Sequence, residues 1–247
     1  TAPGGGILVK GDSGIRIRAH DFIIRYLRVR LRGTGGEAQG QEYFGMVNGA
    51  YNGILDHCSG SWSLDEGIMI WKTSLPLSSD ITNITIQRCL MAEGLWRHGM
   101  GMLLGGEHAS SAAPNLPSDA YRRVHEVVAH HNLFVHNWDR NPHLATGGAQ
   151  MINNVVYNWG TRVGVSAKAN VVDYINNYWK PGPMSGPTIL KHETMDVERD
   201  WTYPDPSIYI AGNIVKGSFE KSSANNWSLI KRSPTPDDLS EGPLPLS

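Results

Sequence analysis

A short unit recurs along the 247-residue chain: an apolar pair, two mostly polar positions, then Cys or Asn, then another apolar or small stretch. It reads ILDHC ending at Cys58, TIQRC at Cys89, VAHHN at Asn132, MINN at Asn154, YINN at Asn177 and YIAGN at Asn213. Those end residues are 31, 43, 22, 23 and 36 positions apart, and FIIRYL, ending at Leu27, stands 31 before Cys58. Self-similarity near 22 residues with irregular insertions is what a solenoid of short strands produces, because each coil buries its apolar face only by stacking on its neighbours. Strands are favoured over helices by runs of about four to six β-branched and aromatic residues, broken by Gly, Asn, Asp or Pro. The best helical competitor runs from Ser118 to His131, with Tyr121, Val124 and Val128 roughly on one face. The repeat at Val127 to Asn132 outweighs it, leaving room for a short helix near Asp119. On parallel strands roughly 4.8 Å apart, the Cys and Asn positions become an internal ladder along which side-chain amides hydrogen-bond. Cys58 and Cys89 are then neighbouring thiols, free and buried.

Composition sets the outer limits. Forty per cent apolar residues with eight Trp exclude a disordered chain, and 28 Gly with only 18% charged residues exclude a coiled coil. No apolar run reaches the eighteen or so residues of a membrane span. A net charge of -1 lacks the basic footprint of a general nucleic-acid binder. The two cysteines sit in neither a CxxC nor a CxxH context, which argues against a thiolate zinc site. The opening Thr1-Ala2-Pro3 shows no basic n-region or apolar h-region. Residues 1–232 are read as one solenoid domain and 233–247 as a Pro-rich tail.

The ordered segments APGGGI, IRIRAHDFIIRYLRVR, ILDHCSGSWSLDEGI, NITIQRCLMAEGL, HGMGMLLGG, HHNLFVHNWDRNPH and MINNVVYNWG, from about Ala2 to Tyr178, resemble the pectate lyase group of polysaccharide lyase family one. The resemblance implies an all-β, single-domain, right-handed parallel β-helix with three short sheets per coil and a groove built by loops on one side. It implies a secreted or periplasmic monomer that cleaves polygalacturonate or a related polyuronate, an acidic plant-type polysaccharide, by β-elimination. Members of the group usually carry a capping segment before the first coil; its absence here implies a trimmed or unusually short chain.

Elimination at a uronate needs its carboxylate neutralised, a base for the adjacent proton, and a proton route to the leaving oxygen. The family's catalytic arginine segment corresponds here to Arg140-Asn141-Pro142-His143-Leu144-Ala145-Thr146-Gly147. Arg140 matches the base, and Pro142 holds the turn. The next family arginine falls on Ala145, so one carboxylate contact is missing. A guanidinium is normally always protonated, so Arg140 either abstracts the proton as a neutral base or stabilises the enolate while His143 or water moves the proton. Arg140 and His143 are the local cations expected of the groove. The resemblance also places Met100 where a lysine is expected, with His98 or Arg97 compensating, and assigns Arg97, Pro142, Trp138 and Lys168 to substrate binding. The plain alternative for Arg140 is an ion pair with Asp139 or another acid, and for His98 a bond to a loop carbonyl.

For Ca²⁺ the resemblance points to Asp65, Glu42 and Glu66. Met69 stands where a second acid is expected, and Tyr43 takes the aligned place beside Glu42. A hard cation wants six to eight oxygens, so a cation-independent site is the competing expectation, with Asp65-Glu66 as a solvated turn. Asp56-His57 and His130-His131 are read as turn-ordering pairs. Arg16, Arg18, Arg25, Arg28, Arg30 and Arg32 are read as a solvated face paired with acids such as Asp12 and Asp21. Trp62, Trp71, Trp96, Trp138 and Trp159 lie in or near loops, packing by default and stacking on sugar in one or two cases. Two functions compete with the lyase. An inverting glycoside hydrolase needs two carboxylates roughly 6.5 to 9.5 Å apart, for which only Asp65-Glu66 offers itself. A non-catalytic polyuronate binder fits the losses at Met69, Met100 and Ala145.

Overall fold

The computed structural model describes residues 6–32, 41–73, 79–95, 98–107, 120–168, 170–185, 195–198, 206–215, 226 and 229–231. The tail at 233–247, with Arg97 and Trp96, lies outside the described residues. Every described strand is parallel to its neighbours, and the strands form three sheets of eight, eight and seven strands. The chain visits the first, second and third sheets in turn and returns to the first one layer on, which is a parallel β-helix. Between Met102 of the second sheet and Val127 of the third, a 3-10 helix, Ala120–Arg123, occupies the place near Asp119 where the sequence leaves room for a helix. The competing segment itself becomes the strand Val127–His130.

The sequence spacings are the strand registers. Ile24 pairs with Leu55 and Asp56 with Gln87, each 31 residues on; Ile84 pairs with Val127, Ala129 with Met151, Met151 with Tyr174, and Tyr174 with Ile210. Alternation along each strand sends one set of side chains inward. In Glu66–Lys72, for instance, Ile68 and Ile70 are in the core while Met69 and Trp71 remain half-buried. Tyr43 is also interior, its hydroxyl so close to Gly67 that a Cβ there would stand 2.0 Å from it. A tyrosine at the place aligned with a cation-binding acid is therefore a core filler.

The corner between the third and first sheets carries the ladder. Asn132 donates its Nδ2 to Ile86 O at 2.9 Å, while its Oδ1 accepts from Cys89 N at 2.9 Å. Asn154 repeats the pattern, accepting from Asn132 N and Nδ2 at 3.0 Å and donating to Ala129 O at 2.9 Å. Asn177 and Asn213 continue it, and Asn226, which the sequence repeat does not reveal, accepts from Asn213 N at 2.8 Å. Cys58 and Cys89 head the ladder as buried free thiols. The residue just before each rung turns the chain in the left-handed region: His57, Arg88, His131, Asn153 and Asn176 all have φ between 50° and 55°. Few non-glycine residues sit there, Asn and His being enriched among them.

This corner also settles the two His pairs. Asp56 takes His57 Nδ1 at 2.7 Å and Arg25 Nε at 2.8 Å, and the His130 and His131 rings meet edge to face with centroids 5.1 Å apart. Both pairs order turns, as read from the sequence. Of the arginine run, Arg16 pairs with Glu42, Arg25 with Asp56 and Arg32 with Asp12, whereas Asp21 pairs with His20 and Asn52.

Replacing Asn154 with Ala leaves Asn132 N, Ala129 O and the Asn177 amide short of partners inside the core. An unmade buried hydrogen bond costs about 1–3 kcal/mol, so Asn154→Ala is expected to lower stability by about 2–4 kcal/mol, read as a melting-temperature drop of several degrees. An unchanged melting temperature would remove the ladder from the stability argument.

Candidate functional site

Connections from the first sheet to the second stack at another corner of the coil, and they carry most of the chemistry. Trp62 to Asp65 leads into the strand that opens with Glu66; His98 and Gly99 precede Met100; His136 to Pro142 precede His143; Asn158 to Val163 precede Gly164. Backbone bonds hold this stack in register: Met100 N donates to Asp65 O at 3.0 Å, Trp138 N to Gly99 O at 2.8 Å, and Thr161 N to Trp138 O at 2.7 Å. Asn137, buried in the same connection, donates to Met91 O and to Asn141 Oδ1, both at 3.0 Å.

Arg140 sits in this stack with φ 54°, ahead of a cis Asn141–Pro142 peptide. Its carbonyl accepts from Met102 N at 2.8 Å, and Gly101 must be glycine because a Cβ would lie 2.4 Å from Asn141 Oδ1 and 2.9 Å from Arg140 O. The side chain reaches back to Glu66, to which Nη1 donates, while Nε has no hydrogen-bond partner. Arg140 keeps 25% of its side chain exposed against 5% for Glu66, although its Nε is itself buried. The expected ion pair with an acid is real, but the acid is Glu66 and not Asp139. Asp139 instead takes Arg162 Nη2 at 2.7 Å.

Burial, then the hydrogen bond and charge of Asp65, push the Glu66 carboxyl up to about 8, with Arg140 pulling the other way. Asp65 Oδ1 lies 2.8 Å from Nδ1 of the half-exposed His98. Asp65-Glu66 is therefore no solvated turn. Two acid–base contacts stand side by side, Arg140 with Glu66 and His98 with Asp65, joined through the two carboxyl groups.

Other expected site residues fall differently. His143 lies in register between Leu103 and Val165, its Nδ1 unpartnered. Burial, followed by the charges of Arg140, Arg162 and Lys168, lowers its pKa to about 3. His143 is thus neutral over the ordinary pH range, and the expectation of a second local cation there is corrected. Pro142 is buried beside Met151, Tyr174 and Trp179 around a small internal cavity, so it shapes the loop from within and presents no face to a ligand. Trp138 is half-buried against Gly160 of the next coil, and Trp159 is a core residue at 1% exposure. Trp71 packs over Gly105, and Trp62, with 40% exposure, donates its indole N–H to Glu93. Lys168 follows the strand Gly164–Ala167 and reaches the site through its charge on His143. The sequence reading missed Arg162 and gave Asp139 only as the plain partner of Arg140.

The acids expected to hold Ca²⁺ do not form one oxygen cage. Glu42 is buried and receives Arg16 Nε at 3.1 Å and Nη2 at 2.6 Å on a single oxygen. Glu66 is held by Arg140, and Asp65 adjoins His98. Among the described residues no group of three or more His, Cys, Asp and Glu side chains could hold a metal ion. Glu42, Asp65 and Glu66, as the described residues place them, do not fit a resident calcium.

No family model matches the chain. It is 34% identical over 187 residues to a probable pectate lyase C of Aspergillus flavus, covering 74% of this chain and 38% of the relative. Against a probable pectate lyase C of Aspergillus fumigatus it is 34% identical over 192 residues, 76% of this chain and 39% of the relative. Against that of Emericella nidulans it is 32% identical over 217 residues, 86% of this chain and 45% of the relative. The chain thus spans less than half the length of these relatives. In fold it resembles the solved pectate lyase of Paenibacillus sp. 0602, with TM-score 0.54 and 14% identity over 98% of this chain and 68% of that one. By sequence and by fold the chain is a pectate lyase-like protein.

Proposed function

We propose that this protein cleaves pectate or a related polyuronate by β-elimination at the stacked connections around Arg140. The observation that carries the reading is the guanidinium of Arg140, which keeps a quarter of its side chain exposed while Nη1 is bound to the buried Glu66. A uronate carboxylate laid against that exposed part would be neutralised, which acidifies the adjacent C–H. As the proton leaves, charge builds on the carboxylate as an enolate, and a fixed guanidinium stabilises that charge without reorganising. A guanidinium is normally always protonated, so charge stabilisation is the role proposed for Arg140, ahead of proton abstraction. The proton acceptor in this reading is His98, whose Asp65 contact on Nδ1 orients the ring and leaves Nε2 for substrate. The C–O bond to the leaving sugar then breaks, giving an unsaturated end on one fragment and a hydroxyl, protonated by the imidazolium or by water, on the other. A polymeric substrate of this kind is met outside the cell, which supports a secreted or periplasmic location; among the described residues no helix is long and apolar enough to cross a membrane.

An inverting hydrolase is disfavoured by the same contacts. Asp65 and Glu66 interact directly enough for Asp65 to raise the Glu66 carboxyl, which speaks against the wide separation that an inverting pair keeps for its water.

Incubation with polygalacturonate is expected to raise the ultraviolet absorbance of the unsaturated product. New reducing ends without that absorbance would mean hydrolysis, and binding without either signal would mean a non-catalytic relative. Arg140→Ala is expected to lower kcat about 100- to 1000-fold with little change in melting temperature, and near-wild-type activity would remove Arg140 from the mechanism. Because the protein's own cations engage Glu42, Asp65 and Glu66, a calcium chelator is expected to leave the rate within about twofold, on the order of a few tenths of a kcal/mol in barrier. A rate abolished by chelator and restored by Ca²⁺ would overturn the cation-free site.

A further inference from the structure

Arg140 is held by a second ion pair, between Asp139 and Arg162. Asp139 is buried, with 9% of its side chain exposed. It receives Arg162 from the next coil through Nε at 3.1 and 3.0 Å and through Nη2 at 2.7 Å. The same carboxylate accepts the Arg140 backbone N–H, Arg140 N to Asp139 Oδ1 being 2.7 Å. The peptide on the other side is fixed as well: Asn141 N donates to Val163 O at 2.9 Å, one residue beyond Arg162. The coil carrying Arg162 therefore grips the chain on both sides of Arg140, through a side chain before it and a backbone carbonyl after it.

Such a grip matters because Arg140 has φ 54°, a region that costs a non-glycine residue of order 1 kcal/mol or more and persists where surroundings over-determine it. A planar guanidinium binds both carboxylate oxygens at a fixed angle, which a lysine ammonium cannot reproduce. With Arg162 in place, Asp139 is locked with one oxygen aimed at the Arg140 amide. Without it, the carboxylate turns toward water and the Arg140 backbone loses its left-handed hold.

We propose that Arg162, acting through Asp139, is a positioning residue that sets the direction of the Arg140 guanidinium. The proposal deepens the lyase reading and rests on it for its kinetic consequence. Arg162 spends its fork on Asp139, so its part is to align the group that meets substrate. Removing it should lower the rate at saturating substrate and leave substrate affinity nearly untouched, because a displacement of about 1 Å at a catalytic group costs on the order of 100-fold.

The test compares wild type with Arg162→Ala, Arg162→Lys and Asp139→Ala, using polygalacturonate kinetics and hydrogen exchange at the Arg140 amide. Arg162→Ala and Asp139→Ala are each expected to lower kcat about 10- to 100-fold with KM within about twofold. The double variant should be no worse than either single one, since both break one device. Arg162→Lys should recover less than half of the lost rate, and Arg140 amide exchange should speed by at least about 10-fold in Arg162→Ala. A raised KM with kcat kept would make Arg162 a substrate contact and overturn the proposal, as would an unchanged kcat. If the wild type yields no unsaturated product from any polyuronate, the reading of function fails. The exchange measurement then still decides the grip, and unaltered Arg140 exchange overturns it.

Discussion

Side-chain amides at one buried corner set the terms for everything else in this molecule. An asparagine amide both donates and accepts, so a column of them can satisfy itself and the backbone groups freed where each coil turns. Asn132, Asn154, Asn177 and Asn213 do this with heavy-atom distances between 2.7 and 3.1 Å. A slip of one residue in any coil would put an apolar side chain against the freed backbone groups and turn its neighbours inside out. The ladder therefore fixes the phase of each coil, and a fixed phase at this corner fixes the others. Asp65, His98, Arg140 and Arg162, which span 98 positions of sequence from first to last, meet because their coils are held in step.

What the sequence revealed follows from which interactions repeat. Ladder positions recur with an apolar pair before them, so the spacings of 31, 43, 22, 23 and 36 could be read directly and became the strand registers. Asn226 escaped because no apolar pair precedes it; it stands in KSSANN. The left-handed turns at His57, Arg88 and His131 escaped because arginine carries no preference for a positive φ and the enrichment of histidine there is too weak to mark a single position. The site was legible in its parts only. Arg140 and His98 were identified by resemblance, and Glu66 was read as an oxygen ligand or a turn residue. Its contact with Arg140 bridges 74 positions, and no local pattern encodes a pairing that skips a whole coil.

Charge was the least legible property. His143 directly follows Pro142, where the family resemblance implies a basic residue and so another cation. Its burial among three cationic groups, Arg140, Arg162 and Lys168, makes a proton there unfavourable. Similarly, Glu42, Asp65 and Glu66 look like a cation-binding set by residue type. Their neighbours decide otherwise, because each carboxyl already faces a guanidinium or an imidazole.

This internal pairing changes what substrate has to do at the site. A metal caged by carboxylates offers positive charge outright, whereas Arg140 arrives already shared with Glu66. Under the proposed lyase reading, a uronate carboxylate would take the exposed part of the guanidinium or compete with Glu66 for it. Burial weighs against Glu66 in that contest, since it pushes the carboxyl up to about 8 and so weakens its hold as an anion at neutral pH. A shared guanidinium is also a directed one: Glu66 holds Nη1, Asp139 accepts from the backbone beneath it, and a quarter of the side chain stays exposed. The pairing that looks at first like a structural salt bridge thus supplies orientation, and orientation is what converts a surface arginine into a group able to meet charge as it develops.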